Sequence, residues 1–269
     1  MALQTARCRY FQRAFGWCVP IGALGGLVGL GGEEFRLPVL MYAIGFDAKS
    51  AIPDNLVVSL VTLAFSMLVR SRVASATAIL PFFPEIIGLA AGGMVSAFYG
   101  ARLVRGLQSG HLVRIIAVLL AGIGTMMLVE VARPFSYAAV VPAAPAAHVA
   151  VGFVIGIGLV GSILGVAGGE LLIPTLMFVF GASIKTAGSA SILISLGVVL
   201  SGLWRYWRLG LVPTGRGAQR ITGAMSAGSI VGAVLGGLAV GIAPVSFLKV
   251  LLGCVLIAAA AKTAASRRR

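Results

Sequence analysis

The chain has 269 residues, of which 59% are apolar and only 10% charged, with a mean hydropathy of +1.05. A soluble domain averages about a quarter charged residues and could not cover its surface with so few. The formal net charge is +14, but the basic residues fall between apolar stretches, a pattern that speaks for a membrane protein and against nucleic-acid binding.

Arg7, Arg9 and Arg13 precede a first apolar stretch, Phe15 to Leu30. A signal peptide also begins this way, but the stretch is glycine-rich and runs into Gly31-Gly32-Glu33-Glu34 with no small-x-small cleavage pattern, so a retained first helix is expected. Further stretches follow at Asp54–Val69, Ile86–Tyr99, Ile115–Val129, Val149–Ala167, Ser189–Leu203, Ile221–Ala243 and Leu251–Ala261. Their lengths predict about eight spans. Dense Leu, Ala, Val and Gly without alternating polarity favours helices over a barrel, because each span must satisfy its own backbone in lipid. The expected fold class is therefore all-α and polytopic.

Arg70 and Arg72 follow the second of these stretches, Arg205, Arg208, Arg216 and Arg220 bracket the loop after Leu203, and Lys262 with Arg267, Arg268 and Arg269 ends the chain. By the positive-inside rule both termini are expected in the cytoplasm of an integral membrane protein, in a bacterial inner (plasma) membrane. Arg102, Arg105 and Arg114 do not fit that scheme. Trp204, Tyr206 and Trp207 interleave with Arg205 and Arg208, as amphipathic rings do at headgroup level. Cys8, Cys18 and Cys254 are too scattered for a disulfide framework or a metal site.

A constant shift of 136 residues, which carries Pro38 onto Pro174, also brings Gly29 onto Gly165, Gly32 onto Gly168, Glu34 onto Glu170, Gly45 onto Gly181, Lys49 onto Lys185 and Ser59 onto Ser195. Apolar matches are cheap in a membrane protein, whereas a Glu, a Pro, a Lys and several Gly in register indicate duplication. The expected organisation is a first repeat over 1–132, a Pro- and Ala-rich linker over 133–147 and a second repeat over 148–269. Four complete spans per half would point the halves the same way, and one re-entrant segment would invert them. The match of Arg70 and Arg72 with Arg205 and Arg208 favours the parallel case.

Each half carries a glycine run followed by Glu and Pro: Gly29, Gly31, Gly32, Glu34 and Pro38 in the first, Gly165, Gly168, Gly169, Glu170 and Pro174 in the second. Glycine weakens a helix and Pro removes a donor, so breaks are expected at both places. Broken helices inside a membrane are tolerated where they line a wet cavity, and matching interruptions in two halves point to a binding site. A half-helix N-terminus offers unpaired N–H groups to sulfonate, sulfite or carboxylate oxygens, and glycine allows their approach. The expected substrate-binding residues are Gly29, Gly31, Gly32, Arg36, Asn55, Gly165, Gly168, Gly169, Ser189 and Ser191.

Glu34 and Glu170 are the candidate ion-coupling pair, since intramembrane carboxylates are costly; the alternatives are capping of the short helices or pairing with Arg36. Lys49 and Lys185 would either attract anions into a vestibule or snorkel to the interface. Asp54, Asn55, Ser189 and Ser191 either cap the next helix or complete the cavity. Arg36 has no basic counterpart in the second copy and is either a substrate counter-charge or a neutralising partner for Glu33 or Glu34. The glycines at 161/165 and 228/232/236 have the spacing of close helix packing. Gly156 to Gly161 mimics a dinucleotide-binding pattern but lies inside an apolar stretch, so no cofactor is expected.

At the glycine breaks the chain resembles the TauE/SafE (sulfite exporter) family of membrane transporters. Gly29, Gly31, Gly32 and Pro38 carry the first copy of a Gly-rich, Pro-terminated signature, Gly165, Gly168, Gly169 and Pro174 the second, and Lys49-x-Ala51 and Lys185-x-Ala187 match the turns that follow. The resemblance implies export of sulfite, sulfoacetate, related organosulfur compounds or small carboxylates, with or without ion coupling. Glu33 in place of a third glycine, and Asp54-Asn55 or Ala190-Ser191 in place of Thr-Ser, depart from the family pattern.

An enzyme would need an intramembrane nucleophile with its base, or a metal-ligand set, and the sequence offers no HExxH, no paired Cys and no His inside a span. A noncatalytic assembly protein would explain the packing glycines but not duplicated Glu and Pro at broken helices. The expected partners are a small anionic substrate and the lipid bilayer, with a homodimer as a candidate assembly and no nucleic acid.

Overall fold

A computed structural model describes residues 2–44, 46, 48–73, 78–103, 109–132, 169–212 and 215–265. The helices in chain order are α1 (Ala2–Val28), α2 (Glu33–Pro38) running into a π-turn (Val39–Ile44), α3 (Ala48–Val73), α4 (Phe83–Leu103, after a 3-10 turn at Leu80–Phe82), α5 (Ser109–Ala132), α6 (Gly169–Phe178), α7 (Ile184–Arg208), α8 (Arg216–Ile242) and α9 (Val245–Ala265). No strand occurs among the described residues. Each predicted apolar stretch coincides with a long helix except Val149–Ala167, which lies outside the described residues along with the linker.

The all-α, polytopic membrane class holds. Ala51–Val73, Ile184–Arg208 and Gly217–Ile242 are long and apolar enough to cross a bilayer. Large apolar side chains point outward, among them Val118, Leu235, Leu238 and Ile242, the last 88% exposed. In water such a surface would aggregate; against acyl chains it is the expected one. Trp207 is exposed at the C-terminal end of α7, and the Arg208 guanidinium stacks 4.3 Å from the Trp204 ring, as residues of an interfacial belt would.

Helices equivalent under the 136-residue shift begin at equivalent positions: α2 and α6 at Glu33 and Gly169, α3 and α7 at Ala48 and Ile184, α5 and α9 at Ser109 and Val245. These equivalent helices run in opposite directions. Leu56, early in α3, faces Gly202, late in α7, while Arg70, late in α3, meets Gly188 and Ser189 near the start of α7. Likewise Gly124 of α5 packs against Gly253 and Ile257 of α9, and Glu130 pairs with Lys249. The pairings across the halves are exchanged as well, with α8 on α3 and α4 on α7. The halves are thus inverted, related by a two-fold axis that crosses the helices.

This corrects the parallel arrangement expected from the basic pairs. The reason is local. Arg70 is not a loop residue but a buried one, 2% exposed inside α3, so its match to the cluster at Arg205 carries no topological meaning. A direct check is a cysteine-free background with Leu56→Cys paired to Gly202→Cys or to Gly188→Cys: a short thiol cross-linker is expected to join the first pair within one chain and leave the second unlinked, and the reverse would restore the parallel scheme.

The inversion follows from the segment between α1 and α3. A Cβ on Gly25 would strike the Leu30 carbonyl and one on Gly32 would strike Ile21, so the chain doubles back after Val28. Leu40 then shares a buried cluster with Ala14 and Cys18 of α1 and with Ala51 of α3. The returning piece comprises six α-helical residues and six in the π-turn, at about 1.5 Å each well short of the roughly 30 Å hydrocarbon core. A long helix, a short returning helix and three further long helices make an odd number of segments in the first half, which turns the second half over.

α1 lies along α8 in the same direction, Gly22 facing Ser229 and Gly26 facing Ala233. Gly228, Gly232 and Gly236 let the two backbones touch, the close packing expected of their spacing. The first half is thereby clasped by a helix of the second.

Candidate functional site

The first break needs two left-handed residues. Gly29 has φ 99° and Gly32 φ 71°, values that a side chain would strain. The helix interruption is therefore set by the glycines and not by the prolines. Pro38 is the last residue of α2, where the helix loosens into the π-turn, and Pro174 lies within an unbroken α6. One lost backbone bond is tolerated there because the helix continues on either side of it.

α2 starts beside the N-terminal half of α3. Asn55 Nδ2 donates to the Glu33 carbonyl at 3.2 Å, and Arg36 donates to Ser59 Oγ at 3.1 Å and back to the Gly31 carbonyl. Glu33, Arg36, Asn55 and Ser59 are all at most 1% exposed. The second break is seen from α6 onward. A Cβ on Gly169 would lie 3.6 Å from Ser195 Oγ and 3.8 Å from Ser191 Oγ, both buried hydroxyls without a hydrogen-bond partner, and Asn55 Oδ1 is likewise unpartnered.

The two breaks meet. Leu30 of the first comes within 3.6 Å of the Gly169 Cβ position, and Gly29 packs main chain to main chain on Gly188 of α7. Two short helices thus begin beside one another, each opposite the N-terminal half of a long helix that carries buried polar groups.

Where the breaks meet, Arg70 ties the halves together. Its Nε donates to Ser189 Oγ at 3.0 Å, one terminal nitrogen to the Gly26 and Leu27 carbonyls at 3.0 and 3.2 Å, and the other to the Lys185 carbonyl at 2.9 Å. Gly26 and Leu27 are in the last turn of α1, whose carbonyls have no partner within their own helix. The guanidinium supplies the missing donors and complements the negative end of the α1 dipole.

The expected site residues separate into groups. Gly31, Gly32, Arg36, Asn55, Gly169 and Ser191 lie around the meeting point of the breaks. Gly29 faces the Gly188 main chain, and Ser189 is engaged by Arg70 and by the Lys185 carbonyl. Lys185 Nζ reaches the Gly241 carbonyl at the end of α8, at 3.5 Å. Gly165 and Gly168 lie outside the described residues, as do the side chains of Glu34, Glu170, Lys49 and Pro38.

Helix capping by Asp54, Asn55, Ser189 or Ser191 is overturned, because all four sit within helices; the cap of α7 is Ser183, whose side chain accepts from Thr186 N. Asp54 instead accepts from Thr222 of α8 at 3.0 Å. Three further residues join the candidate site. Ser59 and Ser195 are legible in the sequence as an in-register polar pair, and Arg70 is hidden there by its place near the end of a long helix. Glu130, buried against Lys249 across α5 and α9, likewise carries no signal beyond being an acid in an apolar run.

No curated protein and no solved structure matches this chain. The model of the sulfite exporter TauE/SafE family matches residues 4–127 and again 148–269. Those two matches cover nearly all of the chain, and it belongs to the sulfite exporter TauE/SafE family of membrane transporters.

Proposed function

We propose that the protein is a secondary transporter, working as an exporter, of small oxyanions: sulfite, sulfoacetate or another organosulfonate. The observation that carries this reading is the meeting of two short-helix starts opposite the buried Ser191 and Ser195 hydroxyls and the Asn55 amide oxygen, which have no hydrogen-bond partner among the described residues. Buried polar groups are normally paired, so orphaned ones beside a helix N-terminus favour a polar solute. Small carboxylates present the same oxygens and are the competing substrates.

In this reading the repeats 1–132 and 148–269 rearrange about the two-fold axis, and Glu34 and Glu170 carry a proton or sodium ion at equivalent places. The chain works in a bacterial plasma membrane with both termini cytoplasmic, alone or as a homodimer. The inverted halves support an alternating mechanism, since each half can open the site to one side by the motion that its twin uses for the other.

Purified protein in liposomes tests the proposal with sulfite, sulfoacetate, taurine and lactate, each with and without a proton or sodium gradient. Flux of sulfite or a sulfonate is expected; flux of lactate alone would move the assignment to carboxylates, and no flux at all would favour a noncatalytic assembly role. Glu34→Gln or Glu170→Gln is expected to abolish gradient-driven flux with expression intact. Wild-type flux in both variants would reject the coupling role.

A further inference from the structure

The duplication supplies an internal control, because every position at one break has an equivalent at the other. Asn55 corresponds to Ser191 and Ser59 to Ser195, so polar groups face the break in both halves. Glu33, however, corresponds to Gly169 and Arg36 to Leu172. The Glu33 carboxylate and the Arg36 guanidinium, one turn apart on α2, therefore have no charged counterparts on α6, whose own carboxylate, Glu170, matches Glu34 instead.

The geometry gives those two charges a use. The Glu33 side chain folds back over the break, its Oε1 3.0 Å from where a Cβ on Gly31 would stand, and the Arg36 guanidinium lies 3.3 Å from the Cβ position of Gly32. Arg36 also takes up Ser59, and the Glu33 carbonyl takes up the Asn55 amide group. The space that glycine opens in the first half is filled from within.

Among the described residues the second break is not filled in this way. Gly169 contributes no side chain, and its Cβ position has only ordinary van der Waals contact with Leu30, Ser191 and Ser195. α6 is ten residues long and starts at Gly169, leaving its first N–H groups without intrahelical partners. The Ser191 and Ser195 hydroxyls, 0% and 1% exposed by residue, face the same point with no partner. Hydroxyl and backbone N–H donors converging at a helix N-terminus suit an oxyanion.

We infer that the two half-sites have parted roles: Glu33, balanced by Arg36, is a tethered carboxylate that fills the first, and one sulfite or sulfonate group binds in the second, between the α6 N-terminus and the Ser191 and Ser195 hydroxyls. This rests on the anion-transport reading and adds to it a stoichiometry and a location. A second anion at the first break would sit against the Glu33 charge in a low-dielectric interior, where like charges repel strongly.

The test is equilibrium binding of radiolabelled sulfite, with sulfoacetate in a parallel titration, to the detergent-purified full-length chain. One anion per chain is expected. The double variant Ser191→Ala, Ser195→Ala, which removes only two oxygen atoms, is expected to weaken binding at least about tenfold, since each hydroxyl donates a charge-assisted hydrogen bond. Glu33→Gln is expected to keep one site with equal or tighter affinity, because it removes a negative charge without removing a ligand. Two anions per chain, unchanged affinity in the serine variant, or loss of binding in monodisperse Glu33→Gln would each overturn the inference while leaving anion transport intact. Failure of the wild-type chain to bind sulfite, sulfoacetate or lactate would defeat the transport reading, and this one with it.

Discussion

Arg70→Met is expected to destabilise the folded protein by about 3 kcal/mol, the cost of leaving two buried carbonyls without donors at ~1–3 kcal/mol each. The measurement is the unfolding midpoint in detergent. Methionine fills much of the volume and spares the cost of burying a charge, which works in the variant's favour. It cannot donate to the Gly26 and Leu27 carbonyls, however, nor to Ser189 and the Lys185 carbonyl across the halves. Water cannot easily replace it, because Gly29 and Gly188 pack main chain to main chain beside it. Arg70→Lys is expected to fall between, since an ammonium keeps the charge at the α1 C-terminus but lacks the planar fork that reaches acceptors on two helices. A Met variant as stable as wild type would mean that the α1 carbonyls find other donors and that the latch is dispensable.

Gly232→Leu is expected to prevent α1 from docking on α8, with loss of monodisperse protein on size-exclusion chromatography. A Cβ at this position would lie 2.1 Å from the Val19 carbonyl oxygen and 2.6 Å from Ala23 N, so backbone and not a movable side chain would have to yield. Overpacking a core commonly costs about 1–3 kcal/mol when side chains can shift; here a whole helix must move. Gly223→Ala on the same helix meets nothing within 4 Å and is expected to be neutral or stabilising by up to about 1 kcal/mol, the helix propensity gained. The contrast separates the packing contact from the cost of losing a glycine. Equal behaviour of the two variants would show that the α1–α8 contact is not what holds the halves together.

Composition, periodicity and the duplication were enough to determine the membrane class, the described helices, the repeat and the place where the first half interrupts its helix. Each of these depends on residues close in sequence. A Gly-Gly pair weakens its own helix wherever it lies, and an apolar run of about 20 residues needs lipid whatever its neighbours are. The equivalence of Ser59 with Ser195 and of Glu33 with Gly169 is also written in the chain.

Direction and partnership were decided only by the tertiary structure. Whether the twelve residues after Gly32 continue across the membrane or turn back depends on the φ values of Gly29 and Gly32 and on the packing of Leu40 against α1, which no local pattern encodes. Arg70 reads in sequence like the exposed Arg72, two positions along. It is buried because one face of α3 at that height meets α1 and α7, whose C-terminal and N-terminal ends supply acceptors from residues far away in the chain. A hydrogen bond between residues more than a hundred positions apart leaves no periodicity to read; it exists only once the inverted halves have closed on each other.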